Sequence, residues 1–204
     1  MTKLRLKHTQ NTGRSMIEML GVLTIIGVLS AGGILGYSKA MRRHRLNVSI
    51  SEIAVMATNA RSFYGNADNY ENFNASTAIR YNIATERMIG VNSTLVNPYK
   101  GRITITLDKA NQDGADNTAF IITYRDLPVE ACVGLARTDW GYSGQYGLIS
   151  VSVGNDDQDP SYPKPPSEYF VENKQIAPLL MEEAIANCAG NAEGARSTFA
   201  LKFY

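Results

Sequence analysis

Residues 13–41 read GRSMIEMLGVLTIIGVLSAGGILGYSKAM, and this stretch decides how the rest of the chain is organised. From Met19 to Ser38 it carries no charged side chain. About 20 predominantly apolar residues, each rising about 1.5 Å along a helix, are enough to cross the roughly 30 Å hydrocarbon core of a bilayer. The stretch therefore predicts a membrane helix. Glu18 lies at its edge, and because an acid is costly in lipid, such a residue indicates a functional site.

Residues 13–18, GRSMIE, resemble the processing site of type IV pilin precursors. In that family a membrane-embedded prepilin peptidase cuts after the glycine and methylates the new N-terminal amine. The resemblance implies cleavage between Gly13 and Arg14, N-methylation of Arg14, and Glu18 as the fifth residue of the mature chain. Arg14 departs from the family pattern, in which the first mature residue is usually Phe, Met or Leu. The alternative is an ordinary signal anchor whose Glu18 lies at the headgroup level.

Length and composition predict one globular domain after this helix. The chain has 204 residues, of which 44% are hydrophobic, and domains typically hold about 100–200 residues. We divide the chain into a polar, basic leader (1–13), a transmembrane or filament-core helix (14–40), its amphipathic continuation (41–65) and a globular domain (66–204). Basic residues are equally numerous on the two sides of the apolar run, so their count leaves the orientation open.

An amphipathic pattern follows the apolar run without an intervening proline. Apolar residues recur at alternating steps of four and three, at Leu46, Ile50, Ile53, Ala57, Ala60 and Tyr64. Polar residues are assigned to the other faces, namely Asn47, Ser49, Glu52, Asn59 and Arg61. Such spacing places one apolar stripe on a helix. We predict one long helix from about 15 to 64, whose second half packs on a sheet.

The region after this helix predicts an α+β fold with an antiparallel sheet. Alternating apolar residues and turn clusters predict strands at 102–107, 119–124, about 147–153 and through Phe199, Leu201 and Phe203. We also predict at most one short helix near 75–88, a short helix at 129–137 after Pro128, and a helix at 176–187 from its helical spacing. The resemblance implies the pilin fold, in which residues 66–101 form the αβ-loop. Asn97, Pro98, Tyr99 and Gly101 resemble the turn by which type IVb pilins enter their sheet.

Cys132 and Cys188 are the two cysteines of the chain. The anchor implies export, and an oxidising compartment favours a disulfide between them. The CxxC spacing that would indicate zinc or thioredoxin chemistry is absent. We therefore predict a Cys132–Cys188 disulfide, with two buried free thiols as the alternative. Type IVb pilins similarly place the first cysteine of a pair shortly after the second strand.

Familiar catalytic and metal-binding patterns are absent from the sequence. His8 and His44 lie in the leader and in a basic segment, so a His-based triad in the globular domain has no base. HExxH, GxxxxGK[ST] and GxSxG are missing. Asp156, Asp157 and Asp159 lack the terminal glutamate of a calcium-binding EF-hand and are interpreted as a solvated loop. We predict no enzyme activity, cofactor or metal, and the net charge of +1 gives no general reason to predict nucleic-acid binding.

The resemblance implies a structural subunit of a type IVb-like pilus. Its partners would be other pilin subunits, the prepilin peptidase, an inner-membrane assembly platform and, before assembly, membrane lipid. The precursor would cross the inner membrane once, with its C-terminal domain in the periplasm, and the product would be an extracellular pilus used in adhesion or a related surface function. In the family, the acid corresponding to Glu18 pairs with the N-terminal amine of an adjacent subunit. The alternatives are a minor pilin, a type II secretion pseudopilin, or a membrane-anchored periplasmic binding protein that does not polymerise.

Overall fold

The computed structural model describes residues 15–111, 113–140, 147–155, 178–189 and 196–204. The chain divides into two compact units, Met1–Met41 and Arg42–Tyr204. Helix α1 (Met16–Phe63) contributes residues to both units. Its bounds agree with the helix predicted from about 15 to 64. The leader (1–13) lies outside the described residues.

Four hydroxyl side chains of helix α1 form hydrogen bonds within the helix itself. Hydroxyls donate to the carbonyl four residues earlier at Thr24, Ser38, Ser49 and Thr58. Each bond satisfies the hydroxyl within the helix, so no outside partner is needed.

The described residues form one five-stranded antiparallel sheet in the second unit. Its strands are β1 (Leu95–Val96), β2 (Arg102–Asp108), β3 (Ala119–Leu127), β4 (Leu148–Asn155) and β5 (Ser197–Phe203). The strand order is β1-β2-β3-β5-β4, so the last strand in sequence lies between β3 and β4. The predicted strands correspond to β2 through β5. The sequence does not predict β1, because a strand of two residues shows no alternation.

The core lies between the second half of α1 and one face of the sheet. Phe120, Ile122 and Tyr124 of β3 pair in register with Phe203, Leu201 and Phe199 of β5, and all six are buried. Successive side chains of a strand point to opposite faces, so these alternate residues share one face. They join one hydrophobic cluster with α1 residues Ile53, Met56, Ala57 and Ala60. The predicted α+β architecture, a long N-terminal helix on an antiparallel sheet, is confirmed.

The predicted apolar stripe is correct, but two residues assigned to other faces of α1 are buried. Ser49 is fully buried and Glu52 is only 5% exposed. The reason is that a second segment flanks the helix. The Asn59 side-chain amide donates to the Ile83 carbonyl at 3.1 Å, which places residues near 83 beside α1. The buried surface of α1 is therefore wider than the stripe.

Residues 66–101 contain one short helix and two 3₁₀ turns. Helix α2 (Ala75–Arg80) agrees with the one short helix predicted near 75–88, and 3₁₀ turns follow at Glu86–Met88 and Val91–Ser93. Asn74 caps α2 by accepting from the Thr77 N–H at 3.0 Å. Such a cap satisfies one of the unpaired donors at a helix N-terminus.

The predicted turn at Asn97 connects β1 to β2 and fixes both to β3. The Asn97 side chain accepts from the Gly101 N–H at 3.0 Å and donates to the Arg125 carbonyl at 2.8 Å. That carbonyl lies at an irregularity of β3 between Tyr124 and Leu127. A Cβ on Gly101 would overlap the same carbonyl oxygen. Only glycine fits there, because backbone atoms occupy the space.

Two helices carry the cysteines. Helix α3 (Val129–Ala136) agrees with the predicted 129–137, whereas α4 (Met181–Ala189) begins later than the predicted 176. The Leu179 N–H donates to the Ala136 carbonyl at 3.0 Å, so residues just before α4 satisfy the C-terminal end of α3 instead of extending a helix. Asp156, Asp157 and Asp159, read above as a solvated loop, lie outside the described residues.

Candidate assembly segment

The first unit consists, within its described part, of the beginning of α1. Glu18 is exposed and lies in the first helical turn, where its N–H donates to the Ser15 carbonyl at 2.9 Å. A carboxylate in this position is favoured by the positive end of the helix dipole. Gly13 and Arg14, the predicted cleavage and methylation site, lie outside the described residues.

The apolar side chains of this segment have no partner among the described residues to cover them. Each of the following is 51–85% exposed: Met16, Ile17, Met19, Leu20, Val22, Leu23, Ile25, Ile26, Val28, Leu29, Ile34, Leu35 and Tyr37. Among the described helices, α1 is the one that is long and apolar enough to cross a membrane. Fully burying one large apolar side chain is worth about 1.5–3 kcal/mol. A helix with this surface is therefore stable when lipid or other protein surrounds it.

The cysteines predicted to pair do form a disulfide in the second unit. Cys132 on α3 is bonded to Cys188 on α4, with their Cα atoms 5.9 Å apart. Both residues are fully buried. The Ser197 hydroxyl at the start of β5 donates to the Cys188 carbonyl at 2.7 Å. The bridge thus fastens α4 to α3 at a point where α4 also contacts the sheet.

Glu52 is a buried acid that the sequence pattern places outside the apolar stripe of α1. Burial raises the pKa of its carboxyl from the ordinary 4.5 to about 7, and the positive charge of Arg87 opposes this change. Burial and then the negative charge of Glu52 raise the pKa of the fully buried Tyr124. Neither Oε2 of Glu52 nor the Tyr124 hydroxyl has a hydrogen-bond partner. The sequence contains no local signal for this burial, because Glu52 precedes Ile53 by one residue and therefore lies about 100° away from it around the helix.

A protein-family model described as PilS N terminal matches residues 43–201, more than half of the chain. The chain belongs to the PilS N-terminal family. Among solved structures, this pilin resembles the type IVb pilin from Salmonella typhi, with 21% identity over 77% of this chain and 97% of that one and a TM-score of 0.51. It also resembles TcpA, a type IV pilin from Vibrio cholerae El Tor biotype, with 16% identity over 79% and 99% of the two chains and a TM-score of 0.46. No curated protein matches the chain.

The prediction of a type IV pilin is confirmed by the family match and by the fold. Membership of this family supports a structural role as a pilus subunit. The apolar first half of α1 fits anchoring in a membrane, and pilins form extracellular pili. The matched family region, 43–201, corresponds closely to the second compact unit.

Proposed function

We propose that this pilin is a structural subunit of a type IVb-like pilus, processed after Gly13 and assembled through the first half of α1. The exposed apolar surface from Met16 to Tyr37 is the observation that carries the proposal. In the precursor, lipid covers this surface, and the protein crosses the inner membrane once with its C-terminal unit in the periplasm. In the pilus, equivalent helices of other subunits cover it.

Small residues in this segment support helix-to-helix packing. A Cβ added at Gly21, Gly27, Gly32, Gly33 or Gly36 would meet nothing within 4 Å. These glycines therefore serve no contact within the described part of the chain. Glycine allows neighbouring helices to approach closely in a membrane, so the glycines suit packing against other copies.

Glu18 sets the register of assembly in this proposal. Once the helix leaves lipid for a protein core, its carboxylate loses water and requires a positive partner. The proposed partner is the N-terminal amine of Arg14 in an adjacent subunit. A buried charge left without its partner costs about 3–5 kcal/mol. The prepilin peptidase and the inner-membrane assembly platform are the proposed partners for processing and extrusion.

Mass spectrometry of fibres sheared from cells tests the proposal directly. We expect an N-terminal peptide beginning at methylated Arg14, and Gly13→Ala should leave only the uncut precursor. A minor pilin or a secretion pseudopilin would be cleaved but scarce in the fibres. A membrane-anchored binding protein would retain its leader and remain monomeric in detergent, which would contradict the proposal.

A substitution at Glu18 separates assembly from processing. We expect Glu18→Ala to be cleaved normally and to yield few or no fibres. Glu71→Ala is a matched control, because Glu71 is an exposed acid in the globular unit. Normal fibres from Glu18→Ala would refute the proposed pairing with the amine of Arg14.

A further inference from the structure

A cavity of about 530 Å³ lies in the second unit between α1 and residues 85–87. One face of α1, from His44 to Val55, forms one wall, because its lining residues recur at steps of three and four. Thr85, Glu86 and Arg87 form the opposite wall. The cavity is large enough to admit a whole side chain from another molecule.

Two of the side chains that line this cavity each carry a buried oxygen with no hydrogen-bond partner. These oxygens are Oε2 of Glu52 and the hydroxyl oxygen of Thr85, one on each wall. Glu52 is 5% exposed, so water reaches little of its side chain. Leaving a buried polar group unsatisfied costs about 1–3 kcal/mol, and more when the group is charged. A donor that entered the cavity would therefore gain two acceptors that the protein itself leaves unused, once the Glu52 and Thr85 side chains turned toward it.

The charges around Glu52 indicate whether the bound donor group is positively charged or neutral. Arg87 lines the same cavity, yet no ion pair within 4.0 Å joins it to Glu52 among the described residues. His44 and Glu86 also face the cavity, and Tyr124 faces Glu52 from β3. Glu52 is thus the one buried acid of the site. A positive group would hold its carboxyl in the ionised form.

We propose that this cavity binds one organic cation, an ammonium or guanidinium group, with Glu52 as counter-ion and the Thr85 hydroxyl as second acceptor. A metal ion fits less well, since the described residues contain no cluster of three His, Cys, Asp or Glu side chains. Hard metal ions such as Ca²⁺ need six or more oxygen ligands. An ammonium or guanidinium group is satisfied by a few acceptors and one counter-charge.

The cation has two possible sources with the same chemistry. One is a Lys or Arg side chain of a second copy, an assignment that rests on the proposed function because it requires copies to pack together. The other is a free amine or guanidine. Below about pH 7, binding in either case releases a proton from Glu52, because burial holds the pKa of that carboxyl near 7. Binding should therefore strengthen as the pH rises toward 7 and level off above it.

The direct test titrates the full chain, in detergent micelles at pH 8, with ethylguanidinium chloride while the Thr85 methyl resonance is followed by NMR. We expect saturable binding that is at least tenfold weaker in Glu52→Gln and at least tenfold weaker for the wild type at pH 5. Glu71→Gln is the matched control, because Glu71 is an exposed acid that does not line the cavity. It should bind as the wild type does. Absence of saturable binding, or equal binding by Glu52→Gln, would overturn the proposal.

Fibre yield then identifies the source of the cation. If a neighbouring copy supplies it, Glu52→Gln should reduce the yield of sheared fibres several-fold while Glu71→Gln leaves it unchanged. If the cation is free, both variants should assemble normally and ethylguanidinium binding should still depend on Glu52. A wild-type chain that binds the probe and never forms fibres would contradict the proposed function and leave cation binding supported.

Discussion

Replacement of Glu52 by glutamine should stabilise the protein at alkaline pH. Glutamine has almost the same shape as the protonated acid and cannot ionise. Burial raises the pKa of Glu52 from 4.5 to about 7. A difference of one pKa unit between the folded and unfolded states corresponds to 1.36 kcal/mol, so ionisation of Glu52 lowers the free energy of unfolding by about 3 kcal/mol.

The direction of the effect follows from which state binds the proton more tightly. The folded protein holds the proton of Glu52 up to about pH 7, whereas the unfolded chain releases it near pH 4.5. Protonation of Glu52 therefore makes its full contribution to the free energy of unfolding below pH 4.5, and this contribution is lost as the pH rises through 7. Above that pH, wild type should be about 3 kcal/mol less stable than Glu52→Gln. Below pH 4.5 the two should be nearly equal.

Trp140 provides the assay, because it is the single tryptophan and lies buried in the second unit. Its indole N–H donates to the Leu135 carbonyl at 3.0 Å, so unfolding changes its surroundings. Urea unfolding of the full chain in micelles, followed by its fluorescence between pH 4 and 9, gives the free energy of unfolding for each variant. Glu86→Gln should follow the wild-type curve. The reasoning would be refuted if the free energies of unfolding of wild type and Glu52→Gln changed in parallel with pH, or differed by less than about 1 kcal/mol at pH 8.

Three further changes test the structure of the second unit. Gly101→Ala should lower the free energy of unfolding by about 3 kcal/mol or more, since its Cβ would overlap a backbone carbonyl, and urea unfolding that matched wild type would show that the turn can shift. Replacing Cys132 and Cys188 together by serine should cost about 4 kcal/mol, because the bridge closes a loop with a sequence separation of 56; an unchanged urea midpoint would contradict this. Asp108→Asn should cost about 1–3 kcal/mol by breaking a 2.8 Å ion pair to Lys202, and a double-mutant cycle with Lys202→Met that gave no coupling energy would show that the pair contributes nothing.

Local patterns account for most of what the sequence predicts correctly. The steps of four and three from Leu46 to Tyr64 describe one helix face, and α1 buries or partly buries every residue of that face. Alternation identifies β2 and β5 because each buries one face. Gly13 and Glu18, which indicate a pilin, belong to one short local motif. They can therefore be identified from residues 13–18 alone, without knowledge of the packing.

What the sequence could not predict depends on segments distant along the chain. Glu52 is buried because residues near Ile83 return beside α1, and nothing local to Glu52 encodes that return. The start of α4 is delayed because Leu179 bonds to the end of α3, although Pro178 suits a first helical turn. The cavity between Glu52 and Thr85 is likewise created by contacts across the chain.

The central position of β5 has a consequence for the order of folding. During synthesis β4 emerges before β5, yet it has no partner strand in the sheet until β5 has paired with β3. The register that joins Phe120 to Phe203 spans more than 80 residues, and pairing over such distances forms slowly. A ribosome-bound chain that ends before Ser197 therefore exposes the open edge of β3. A chaperone that protects that edge would be most useful before the last strand is made.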